Sequence, residues 1–128
     1  MSIPFQRRLI SVSDYYRMAE AGILKPEERV ELIRGEIIRM SPIGSRHAFH
    51  VNKIAQLFIS LAGEEYAVSI QNPIRLDDLT EPEPDISIVR GPLDLYTDHH
   101  PVPNDVFLVI EVADSTYQKD RKLKMPLY

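Results

Sequence analysis

Acids and prolines alternate through Glu81-Pro82-Glu83-Pro84-Asp85, and the apolar stretch Ile86-Ser87-Ile88-Val89 follows at once. Proline lacks an amide hydrogen and biases the residue before it toward extended backbone. This lead-in is therefore kept out of a helix and delivers Asp85 to the start of a strand. A second acid, Glu111, stands inside the otherwise uninterrupted hydrophobic run Val106-Phe107-Leu108-Val109-Ile110-Glu111-Val112-Ala113. A charge in such a strand is costly unless a cation or several hydrogen-bond donors meet it. Any fold of this chain has to provide for these two carboxylates.

The chain has 128 residues, 44% of them apolar. That suits one domain, spanning 1–128, with a buried core. It contains no cysteine, which excludes disulfides, thiolate metal sites and cysteine nucleophiles. The N-terminal residues do not lead into a signal-peptide hydrophobic region, so a cytoplasmic setting is expected. No apolar run is long enough to span a bilayer. Lysine and arginine number 15 against 19 acids, a net charge of −4. This balance argues against a strong non-specific nucleic-acid binder. It leaves room for a local basic rim, for which Arg46, Lys53, Arg75, Lys119, Arg121, Lys122 and Lys124 are the available bases. A solvated surface accounts for the same residues more simply.

The pattern predicts a helix over 13–21 with Ser13 as N-cap and Gly22 as the stop, then a hairpin turning at Arg34-Gly35. The longest predicted helix runs over 46–62, with Val51, Ile54, Ala55, Phe58 and Leu61 at helical spacing and Gly63 ending it. Strands follow over 66–76 and 86–89. The run 91–105 is a long loop, with His99-His100 on the surface. The segment 106–113, apolar on both faces, is expected to be the central strand. A last helix is expected over 119–128. Helices and strands mixed around one sheet give an α+β, α/β-like class.

Side chains alternate across a sheet. If the 86–89 and 106–113 strands are neighbours, Asp85 and Glu111 converge at one sheet edge. Two such carboxylates repel, which raises a pKa or recruits a cation. Oxygen ligands without cysteine favour Mg²⁺ or Mn²⁺ over zinc, and such an ion activates water against a phosphodiester. Lys124 is the candidate cation near the attacking water, with Lys122 second. Tyr128 lies at i+4 from Lys124 on the expected last helix. The structural alternatives are a turn residue for Asp85 and an arginine-paired buried acid for Glu111.

The segments Glu31-Leu32-Ile33-Arg34-Gly35-Glu36-Ile37, Ser41-Pro42 with His47, Gln71-Asn72-Pro73-Ile74-Arg75-Leu76, Glu81 to Asp85, Val109-Ile110-Glu111-Val112, and Asp120 with Lys124 and Tyr128 occur in that order. In this order they resemble a large bacterial family of restriction-endonuclease-like proteins within the PD-(D/E)XK nuclease superfamily. The resemblance covers nearly the whole chain. It implies a restriction-endonuclease-like core, a central mixed sheet flanked by helices, with a Mg²⁺ or Mn²⁺ site at the sheet's edge and DNA as substrate. The helix and hairpin of 1–40 would be an N-terminal extension, and 46–128 the core. Pro84-Asp85 matches the Pro-Asp element and Glu111 the second acid, so Asp85 and Glu111 would be the metal ligands. Two positions after Glu111 stands Ala113 rather than lysine. The resemblance puts the lysine on the next helix, at Lys124. Glu31, Glu36, His47 and Tyr128 are accessory candidates. Relatives continue past the tyrosine into a further strand, so a C-terminally truncated core with its last strand missing is expected. A homodimer is compatible with the resemblance, since many such nucleases cut two strands with two subunits.

Two other functions compete with a Mg²⁺-dependent endodeoxyribonuclease. One is a catalytically inactive binding module that keeps the nuclease fold, since fold alone does not license activity. The other is a histidine-based metal hydrolase using His47, His50 and Glu31. At an exposed helix start those two histidines read more simply as surface polar residues.

Overall fold

A computed structural model describes residues 5–113 of the chain. Lys124, Tyr128 and the expected last helix lie outside the described residues. The described elements are helix α1 (Val12–Glu20), strands β1 (Val30–Ile33) and β2 (Glu36–Arg39), helix α2 (Ser45–Ala62), and strands β3 (Tyr66–Ile70), β4 (Ile86–Arg90) and β5 (Val106–Ile110). They form an α+β structure with a two-stranded sheet, β1-β2, and a three-stranded sheet in the order β3-β4-β5. All the described pairings are antiparallel, so the mixed character expected of the sheet is not seen among the described residues. No described helix is long and apolar enough to cross a membrane.

The hairpin turns where the sequence placed it. Arg34 and Gly35 have φ of 50° and 79°, the left-handed pair that joins two twisted strands through a two-residue loop. The first helix is capped two residues earlier than predicted. Ser11, not Ser13, is the N-cap, and its side chain accepts from the Asp14 amide at 3.1 Å. Serines at both 11 and 13 can cap, and burial of Val12 at 2% exposure decides between them by drawing that residue into the first turn.

Helix α2 lies on the three-stranded sheet. Val51 and Ala55 bury against Ile86 and Ile88, with Ile54, Phe58, Val68, Ile70, Ile110 and Val112 packed around them. Each fully buried aliphatic side chain contributes about 1.5–3 kcal/mol. Strand β4, not β5, is central in the described sheet. Its first four residues are all buried, whereas Phe107 and Leu108 on β5 are 56% and 44% exposed. The apolar run at 106–110 suggested burial on both faces. The register shifts by one residue between Ile88 and Val89, however, and this bulge gives β5 an extra residue. Phe107 then packs edge-to-face against Tyr66, ring centroids 5.3 Å apart.

The acid–proline run joins the two sheets. Its prolines cannot donate to a regular ladder, so single bonds replace strand pairing. On one side Ile74 N–H donates to the Pro82 carbonyl, and Leu76 N–H to that of Thr80. On the other side Glu81 N–H donates to the Leu32 carbonyl of β1 at 2.8 Å, and Leu32 and Glu81 form an isolated bridge. Pro82 and Pro84 are fully buried. Alternation along extended backbone then sets Glu81, Glu83 and Asp85 apart from the prolines.

Candidate active site

The site forms at the end of the three-stranded sheet where β4 begins and β5 ends. The β4–β5 register pairs Ile86 with Ile110 and Ser87 with Val109. Asp85 and Glu111 are each the next residue past the Ile86–Ile110 pair, at the same end of the ladder. Glu111 falls just past the last paired residue of β5, half-buried rather than inside the strand.

Asp85 is fixed on both of its carboxylate oxygens. His47 Nε2 lies 3.1 Å from Oδ1, and Val112 N–H donates to Oδ2 at 2.8 Å. The two side chains are nearly out of solvent, at 11% for His47 and 14% for Asp85. His47 sits in the first turn of α2, so the helix that packs the core also steers this acid. It is therefore drawn into the site instead of lying exposed, whereas its neighbour His50 is exposed. The backbone of Asp85 is held as well, since its carbonyl accepts from Gln71 N–H at 2.9 Å.

Glu31 on β1 is fully buried, and its Oε2 accepts from Glu83 N–H at 3.0 Å. It thereby ties the hairpin to the acid–proline run two residues before Asp85. Glu36 goes elsewhere. It lies at the exposed turn end of the hairpin, where Arg7 holds its carboxylate. Of the accessory candidates among the described residues, the structure thus brings His47 to Asp85, sets Glu31 one step along the run, and leaves Glu36 out.

The reading of Asp85 and Glu111 as the acids of interest passed over Glu81, Glu83, Tyr15, Tyr16 and His100. Tyr16 donates its hydroxyl to the Glu81 carboxylate, which is only 2% exposed. Tyr15 donates to the Val30 carbonyl at 3.2 Å. Burial pushes the Tyr15 phenol up to about 12, with the charges of Glu83, Glu81 and Glu31 adding to it. Burial also raises Tyr16, together with its bond to Glu81. Spacing could have identified the acids, because residues 81, 83 and 85 share one side of an extended chain. Nothing local pointed to the tyrosines.

The donor set suits a hard divalent ion. Each Asp85 oxygen spends one lone pair on a hydrogen bond, and a carboxylate offers about four in all, so capacity for a cation remains. Magnesium is typically held by one or two carboxylates and keeps several waters. Asp85 and Glu111 are two carboxylates at one end of the ladder, and among the described residues no group of three or more His, Asp or Glu side chains is arranged to hold a metal. No curated protein matches the chain. The sequence model of one family does match, over residues 12–128. From α1 through the last residue, this chain therefore belongs to the Uma2 family, described as "Putative restriction endonuclease".

Proposed function

We propose that the protein is a Mg²⁺- or Mn²⁺-dependent nuclease that hydrolyses DNA phosphodiester bonds. The observation carrying this reading is the fixing of Asp85 by His47 and the Val112 amide, at the end of the β4–β5 ladder where Glu111 also lies, each acid one residue past the last pair Ile86–Ile110. Family membership supports it.

Asp85 and Glu111 are the residues that would hold the ion. When bound, the ion supplies an activated water and neutralises charge developing on the phosphate. The chain's own task is to fix the oxygens that receive it. His47 and Val112 hold the Asp85 carboxylate in one orientation, which lowers the reorganisation needed as the reaction proceeds. Glu111 supplies the second negative charge. Hydrolysis also calls for a cation near the attacking water, and the family pattern assigns that role to Lys124.

Nicking of supercoiled plasmid with Mg²⁺ or Mn²⁺ tests this. Cleavage should disappear in Asp85→Asn and in Glu111→Gln, and fall sharply in Lys124→Ala. Cleavage that persists in both acid variants would remove the site from the chemistry.

A further inference from the structure

Beside the acid–proline run lies a cleft of about 590 Å³, within the usual 300–1,000 Å³ range of small-molecule sites. Tyr16, His100, Gln71 and Glu83 line it, with Lys25 and Arg29 contributing cations. The rings of Tyr16 and His100 are nearly parallel, at 18°, with centroids 6.4 Å apart. Both rings also line a second cleft of about 580 Å³, so they form an aromatic wall between the two. The Tyr16 ring is anchored at its hydroxyl by buried Glu81.

Gln71 ties this cleft to the candidate active site. It is a non-glycine residue at φ 53°, a left-handed backbone that persists only where surroundings enforce it and that recurs at functional sites. The same residue lines the cleft and donates its amide to the Asp85 carbonyl. Glu83, also in the lining, is two residues from Asp85, about 7 Å along an extended chain. A group adjoining a phosphate at Asp85 therefore reaches the cleft.

We propose that this cleft receives an unpaired nucleobase next to the scissile phosphate, so that the substrate is single-stranded or locally unpaired nucleic acid. The proposal rests on the nuclease reading and adds the substrate class. The chemistry matches. Every base has a π-face that stacks on aromatic rings whatever its identity. Carboxylate and amide groups such as Glu83 and Gln71 pair with base edges. The acids keep phosphate out of the interior, while Lys25 and Arg29 meet the backbone. A base inside an intact duplex cannot reach such a pocket.

The test measures binding without cleavage. Fluorescence anisotropy of the full chain at low salt, with a chelator present, compares a labelled single strand with the same sequence as a blunt duplex. The single strand should bind at least tenfold more tightly. His100→Ala, a loop substitution outside helices and strands, should weaken single-strand binding about tenfold, the loss of one stacked base. Duplex binding should not change, and His100→Phe should restore the single-strand affinity. Equal or tighter duplex binding, or an unchanged single-strand affinity in His100→Ala, overturns the proposal. Plasmid nicking reports on the nuclease reading separately. Nicking with no single-strand preference sinks the cleft alone, whereas a His100-dependent single-strand preference without nicking sinks only the hydrolysis.

Discussion

Asp85 owes its orientation to helix α2 and to the segment just past β5, which arrive from opposite directions in the sequence. His47 is 38 residues before it and Val112 is 27 after it. Removing the imidazole takes the partner from Oδ1 and leaves the carboxylate held at Oδ2 by the Val112 amide. His47→Ala should therefore lower stability by about 1–2 kcal/mol, the ordinary cost of stranding a largely buried acceptor. Groups that orient a metal ligand typically cost 10–100-fold when lost, so the same variant should reduce nicking by that factor and not abolish it. Thermal melts and rate measurements on one preparation check both numbers. Complete loss of activity would mean that His47 acts on the substrate directly. At this scale the sequence was readable where it used strand alternation. The parity of residues 85 and 111 within their runs predicts that the two acids meet, and the register brings each to one residue past the last β4–β5 pair. Glu31 was not readable in the same way. Its partner, the Glu83 amide, is 52 residues distant, and a buried acid satisfied by a remote backbone donor leaves no local pattern.

Among the elements, α1 depends most on its surroundings. It has nine residues, too few for an isolated helix to persist in water. The Ser11 cap, the buried Val12 and the two tyrosine hydroxyls hold it. Ser11→Ala should cost about 1 kcal/mol, measurable as a lower urea midpoint with an unchanged slope. The tyrosines add a pH dependence. Tyr15 ionises at about 12 in the folded chain against about 10 when unfolded. Above pH 10 the unfolded state therefore binds fewer protons than the native state, and stability falls as pH rises. The contribution is fully present below pH 10 and lost as pH climbs through 12. Urea melts between pH 8 and 11.5 should show this decline, and Tyr15→Phe should flatten it. A decline of equal size in that variant would assign the effect to other groups. Turn chemistry and helical spacing made the Arg34-Gly35 hairpin and α2 legible, since both are local signals. The edge position of β5 in the described sheet was not, because it follows from which strands pair, and the run 106–110 is apolar throughout although Phe107 and Leu108 are exposed.

At the scale of the molecule, the acid–proline run is the joint between two sheets that otherwise share no strand. Its three acids, Glu81, Glu83 and Asp85, together with Glu31 of β1 bonded to the Glu83 amide, lie along one path from α1 to the start of β4. A chain of net charge −4 that gathers carboxylates in this way should gain stability from a cation that partners some of them. Mg²⁺ bound only by the folded state should stabilise it by about 2.7 kcal/mol at a hundredfold excess over Kd, a rise of several degrees in Tm. The increment should vanish in Glu111→Gln, which keeps the shape of the side chain and removes one of the two charges. Differential scanning calorimetry of both proteins with and without Mg²⁺ reads the increment. An undiminished Mg²⁺ shift in Glu111→Gln would place the ion elsewhere, and Glu31→Gln and Glu83→Gln would then be the variants that locate it along the same run.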